Sequence, residues 1–142
     1  MVKYALDVPV PIASGVSYVP LRYHRGRPSR HKTVWRISVG DELDTFRVSH
    51  SSGWLWPGVG WGLRQAPAGN ILTLGTNARN ADLKFAKFIS STPTSDWHGY
   101  PADYLAKPGD CPHMAVLQVW IRVGILRKHH VKKIVRGQPC NL

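Results

Sequence analysis

The sequence predicts an α+β fold: one domain over residues 1–142, with an N-terminal antiparallel sheet across about 1–75 and two or three short C-terminal helices packed on it. Three observations carry this expectation. Apolar and polar residues alternate through much of the first half, which is a strand period. Apolar residues recur at helical spacing near the C-terminus. Seven of the eight acids are Asp, with Glu42 the single glutamate, which argues against long helices laced by Glu–Lys pairs.

The elements follow in order. Tyr4, Leu6, Val8 and Val10 alternate with Lys3, Ala5, Asp7 and Pro9, and the prolines Pro9 and Pro11 place this strand at an edge or end it. Val16 to Tyr23 reads as a second strand. His24 to Lys32 has no apolar period and reads as an exposed basic loop. Val34, Trp35, Ile37 and Val39, then the turn signal Gly40-Asp41-Glu42, then Leu43 to His50 predict a hairpin over 33–50. Ile71 to Leu74 is a further short strand. Thr76 or Asn77 is placed to cap a helix over 78–89, and Ser90 to Asp96, with Pro93, breaks the chain. His98 falls in a turn rich in Gly and Pro. Asp110 or Cys111 is placed to cap a helix with Pro112 in its first turn, Leu117, Trp120 and Ile121 on one face, and Gly124 as its stop. A last helix over about 126–136 turns Val131, Ile134 and Val135 inward and ends at Gly137.

Charge gives the strongest functional signal. The net charge is +11, divided +5 and +6 between residues 1–77 and 78–142, so it is not the property of one tail. Cys111 to Leu142 carries six Lys/Arg and no acid, and Val8 to Gly40 is an acid-free run of the same kind. The expected partner is nucleic acid, RNA or DNA, held by backbone phosphates. Arg127, Lys128, Lys132, Lys133 and Arg136 would form one contact patch, and Arg25, Arg27, Arg30 and Lys32 another. Trp54, Trp56 and Trp61, set among glycines, either plug the core or offer a surface on which bases stack. The two C-terminal helices joined at Gly124 invite comparison with a helix-turn-helix. Trp120, however, stands where that motif has a small residue, and Arg127 and Lys133 stand where it has apolar ones.

Two alternatives belong to other classes. A metal-independent ribonuclease of toxin type would use His98, with Asp96 beside it and His113 as a second histidine. An interaction module, such as a phage, toxin-neutralising or defence component, would dock an acidic protein, with the Trp/Gly segment as an exposed hot spot. No cofactor is expected and no metal site is assigned. Cys111-Pro112-His113 offers two ligand types, with His98, His129, His130 or Cys140 to complete four, but paired ligand spacing is lacking. Two cysteines cannot build a disulfide framework, and reduced thiols are expected. No apolar run reaches the length of a membrane span, and Met1-Val2-Lys3-Tyr4 lacks the apolar core of a secretory leader. The expected setting is therefore cytoplasmic, without membrane insertion.

Overall fold

The computed structural model describes residues 4–56, 58–91 and 95–142. The Met1–Lys3 end and the break at Pro93 lie outside the described residues.

Among the described residues, nine strands and three α-helices form an α+β fold. The strands are β1 (Val10–Ala13), β2 (Val16–Tyr18), β3 (Val34–Trp35), β4 (Leu55–Trp56), β5 (Val59–Gly62), β6 (Gly75–Thr76), β7 (Asp82–Leu83), β8 (Phe85–Ser90) and β9 (Asp96–Ala102). The helices are α1 (Val39–Ser51), α2 (Met114–Arg122) and α3 (Lys128–Val135). Six strands make one sheet in the order β1-β2-β9-β8-β5-β4, and β3-β6-β7 make a small second sheet. Every pair is antiparallel except β2 with β9, so the large sheet is mixed. Strands continue to Ala102, and the two helices α2 and α3 close the chain.

The large sheet has a core on each face. Along β8, Phe85 points to one face while Ala86 and Phe88 point to the other, as the two-residue strand period broadly requires. Ala86 and Phe88 pack with Tyr18, Trp35, Leu74 and, from α1, Leu43 and Phe46. Phe85 packs with Trp54, Trp61 and, from α2 and α3, Leu117, Trp120, Val131 and Ile134. One helix therefore covers one face and two helices cover the other. The ring of Phe88 lies across Gly99, where a Cβ would collide with Phe88 Cδ1 and stand 2.7 Å from the Lys87 carbonyl oxygen. Only glycine fits between His98 and Tyr100.

Residues 33–50 are not a hairpin. Gly40-Asp41-Glu42 opens a helix instead of a turn, because Ser38 Oγ accepts the Asp41 N–H at 3.0 Å and both acids sit at the positive end of the helix dipole. Glu42, Leu43, Thr45, Phe46 and Ser49 are the buried positions, and their spacing is helical. The alternation of Leu43, Phe46 and Val48 misled, since Val48 is exposed.

Residues 78–89 are not a helix. Asn77 Oδ1 accepts both Arg79 N–H (3.0 Å) and Ala81 N–H (3.1 Å), and Asn80 adopts φ +59°. The side chain expected to cap a helix closes a tight turn between β6 and β7, and residues 85–90 run as a strand. Smaller corrections follow the same pattern. Pairing of the first strand begins only at Val10. Arg22–His24 is a single 3₁₀ turn in place of the end of a second strand. Ile71 makes one isolated bridge with Gln65 and no strand. His113, not Asp110 or Cys111, caps α2, its Nδ1 accepting the Ala115 N–H at 3.0 Å. Val135 is exposed, whereas Val131 and Ile134 are buried.

One charged group is deeply buried against α1. Glu42 is fully buried; its Oε1 accepts from Arg25 Nη2 at 2.5 Å and its Oε2 from Tyr18 OH at 2.6 Å. Arg25 also donates to the Ile37 carbonyl. Burial pushes the Glu42 carboxyl above its ordinary range, against the pull of its two donors. Arg25→Met, which strands that carboxylate, is expected to lower unfolding free energy by about 3–5 kcal/mol in urea titration, and Arg25→Met with Glu42→Leu to recover most of the loss. Gly99→Ala is expected to cost about 1–3 kcal/mol or more in the same measurement, through overpacking against Phe88.

Candidate nucleic-acid interface

The fold uses its carboxylates locally. Among the described residues, ion pairs join Asp7 to Arg22, Glu42 to Arg25, Asp44 to Arg47, Asp41 and Asp44 to Arg64, and Asp110 to Lys87. Most of these pairs gather around α1. Two cation-lined grooves lie outside them.

The larger groove, of about 700 Å3, runs between the basic loop, the β6–β7 turn, the segment after β9 and the C-terminal tail. Arg30, Lys32, Arg79, Lys84 and Lys107 line it. Asp82 and Asp103 are its acids, and Asp103 is buried and accepts from Asn77 Nδ2 at 2.8 Å. The smaller groove, of about 340 Å3, lies between α2 and α3. Met114, Ile121, Val131 and Val135 line it together with Lys128, Lys132 and Arg136, and its lining has no acid. These three cations recur every four residues and so share one face of α3. Arg127 and Lys133 are exposed beside them. The tail runs from the larger groove to α3: Pro139, Cys140 and Leu142 line that groove, and Cys140 Sγ contacts the His130 carbonyl of α3 at 3.8 Å.

The expected contact residues divide accordingly. Arg30 and Lys32 reach the larger groove, Arg27 is exposed on the loop, and all five cations of the α3 patch are exposed or groove-lining. Arg25 is withdrawn, because its guanidinium is engaged by Glu42 and the Ile37 carbonyl. The tryptophans also divide. Trp54 and Trp61 are buried, and Trp54 meets Trp120 edge-on at 5.6 Å, so neither offers a stacking face. Trp56 is exposed and lies parallel to His113 with centroids 4.2 Å apart. His113 directly precedes Met114, which lines the smaller groove.

The histidine set is rearranged. His98 lies in β9, in register with Ile89, and not in a turn. Asp96 shares its strand face, but no hydrogen bond joins the two among the described residues. His113 is committed to capping α2 and to Trp56, away from His98. The histidine on the same side of β9 as His98 is His24, on which His98 acts electrostatically. Its ring stacks on Tyr100, two residues along the same face of β9, at 5.3 Å and 26°. His24 Nδ1 donates to the Thr33 carbonyl at 3.0 Å, and His98 Nδ1 is bonded to Ser91 Oγ at 3.3 Å. Burial lowers both rings from their ordinary range, and for His24 the charges of His98, Lys32 and Lys107 lower it further.

Tyr100 is held by a buried carboxylate. Asp110 Oδ1 accepts the Tyr100 hydroxyl at 2.9 Å and pairs with Lys87 Nζ at 3.7 Å, while Oδ2 accepts the Asp103 N–H at 3.0 Å. Burial and the neighbouring carboxylate push the phenol above its ordinary range, so it stays a donor. No sequence pattern tied His24 to β9, because these positions lie far apart in the chain and only folding brings them together.

Among the described residues, no three His, Cys, Asp or Glu side chains converge as metal ligands, and no helix is long and apolar enough to cross a membrane. Cys111 and Cys140 are free thiols beside α3, whose carbonyls at Ile134 and His130 they contact. No family model, curated protein or solved structure matches the chain.

Burial raises both thiols above their ordinary range. At neutral pH the folded chain is therefore expected to react with an aromatic disulfide reagent several-fold more slowly than the urea-unfolded chain, since the thiolate is the nucleophile. Equal rates in the two states would contradict the packing against α3.

Proposed function

We propose that this protein binds nucleic acid through its sugar-phosphate backbone. One observation carries the reading: Arg30, Lys32, Arg79 and Lys107 in the larger groove, and Lys128, Lys132 and Arg136 in the smaller one, are in none of the ion pairs among the described residues, whereas Lys84 donates to the Leu142 oxygen at 2.8 Å. Fixed cations in a concave site raise the local potential, and a phosphate chain neutralises several of them at once while releasing its own counterions. The face of the half-exposed Trp56 ring that His113 does not cover supplies a flat apolar surface of the kind that stacks on an unpaired base. The contacts are with phosphate and π-face, so the expected binding is weakly selective for sequence.

A second reading rests on the smaller groove. Its lining of Met114, Ile121, Val131 and Val135 is apolar under a basic rim, which suits an acidic amphipathic segment of a partner protein. Competition separates the two, since such a partner would be displaced by an acidic amphipathic peptide and not by RNA.

Affinity for a labelled single-stranded RNA is expected to fall linearly in log–log form with salt. Lys128→Ala, Lys132→Ala and Arg136→Ala together, or Arg30→Ala, Lys32→Ala and Lys107→Ala together, are each expected to weaken binding alike for all sequences. Each set is expected to flatten the salt slope by about one for every phosphate it leaves unneutralised. Fluorescence anisotropy across a salt series measures both. An affinity that does not change with salt would end this proposal.

A further inference from the structure

His24 adjoins the larger groove through Thr33, and its arrangement with His98 suits chemistry on the strand that the groove would hold. Lys32, Thr33 and Lys107 line the groove. The Thr33 carbonyl is the acceptor of His24 Nδ1, so the groove wall itself positions that ring. The ring is clamped a second time by its stack on Tyr100, whose hydroxyl is anchored on buried Asp110. His98 projects from the same face of β9, two positions before Tyr100, and its Nδ1 is bonded to Ser91. In both rings the Nδ1 atom is occupied, and Nε2 makes no hydrogen bond among the described residues. Because Nδ1–H of His24 donates to a carbonyl, its neutral form carries the lone pair on Nε2.

We propose that His24 and His98 form a metal-independent ribonuclease site beside Thr33 of the larger groove. The inference rests on the nucleic-acid reading above and assigns it a substrate, RNA, and a reaction. His24 Nε2 takes the proton of a ribose 2′-hydroxyl, and the 2′-oxygen attacks the adjacent phosphorus. The bond from phosphorus to the 5′-oxygen breaks, and that oxygen receives the Nε2 proton of His98 in its imidazolium form. The products are a 2′,3′-cyclic phosphate and a free 5′-hydroxyl. No water, metal or other reactant is consumed, and proton exchange with solvent resets both rings. Lys32 and Lys107, which act electrostatically on His24, would stabilise the charge gathering on the phosphoryl oxygens. Such acid–base pairs supply about 10²–10⁴ in rate. Since burial lowers both histidines, the pH profile of cleavage is expected to be a bell peaking on the acid side of neutrality.

The test incubates the protein with a labelled single-stranded RNA in EDTA and follows cleavage on a denaturing gel and binding by anisotropy. The wild-type chain is expected to release fragments ending in 2′,3′-cyclic phosphate and to leave a 2′-O-methyl RNA intact while binding it. His24→Gln and His98→Gln are each expected to lose about 100-fold or more in cleavage rate with affinity within about twofold. RNA bound but not cut would overturn the ribonuclease assignment and leave the binding reading standing. Neither binding nor cutting would overturn both. Cutting that survives either substitution, that proceeds on the 2′-O-methyl strand, or that rises steadily with pH would remove the histidine pair. If a glutamine variant does not fold, the 2′-O-methyl strand, the end-group identity and the pH profile of the wild-type chain still decide.

Discussion

Eight carboxylates must serve nineteen lysines and arginines, and where the fold puts those eight decides what the molecule can do. Asp41, Glu42 and Asp44 lie on one helix, α1, where they gather Arg25, Arg47 and Arg64. Asp110 is buried with Lys87 and Tyr100. Asp7 holds Arg22 near the sheet edge. This local neutralisation leaves the smaller groove beside α3 with no acid in its lining, and the larger groove with Asp82 and Asp103 against five cations. In a repulsive chain of this kind each compensated cation stabilises the compact state, whereas each uncompensated one favours a polyanion.

β9 joins the core to the candidate site. Its odd-numbered residues, Trp97, Gly99 and Pro101, face the α1 side, where Phe88 closes over Gly99. Its even-numbered residues, His98 and Tyr100, face the other side. The position of His98 is therefore set by a packed sheet and not by a loop. The same holds for Tyr100, which is fixed at its hydroxyl by Asp110 and covered on its ring by His24. A rigid strand carrying one histidine and clamping another places titratable groups more reproducibly than the turn that the Gly and Pro content suggested.

Periodicity served best where an element is long enough to repeat. The α2 face of Leu117 and Trp120, the stop at Gly124 and the inward Val131 and Ile134 were all legible. It served poorly at Leu43–His50, where a half-buried helix of thirteen residues contains enough alternating apolar positions to imitate a strand. Ser38 followed by Asp41 was the available signal for that helix. At Asn77 the same side-chain chemistry supports a cap or a turn, and the neighbouring strand β3 decided for the turn by pairing with β6.

The amino-acid sequence by itself determined the α+β class, the charge, the acid-free segments and the basic character of α3, because composition and short-range spacing are properties of the chain before it folds. Only the tertiary structure decided which cations remain available. It removed Arg25 to a buried pair with Glu42, turned Trp54 and Trp61 into the core while leaving Trp56 outside, and brought His24 to β9 in place of His113. Such pairings join positions far apart in the chain, and their partners are selected by packing and by desolvation, neither of which leaves a local pattern to read.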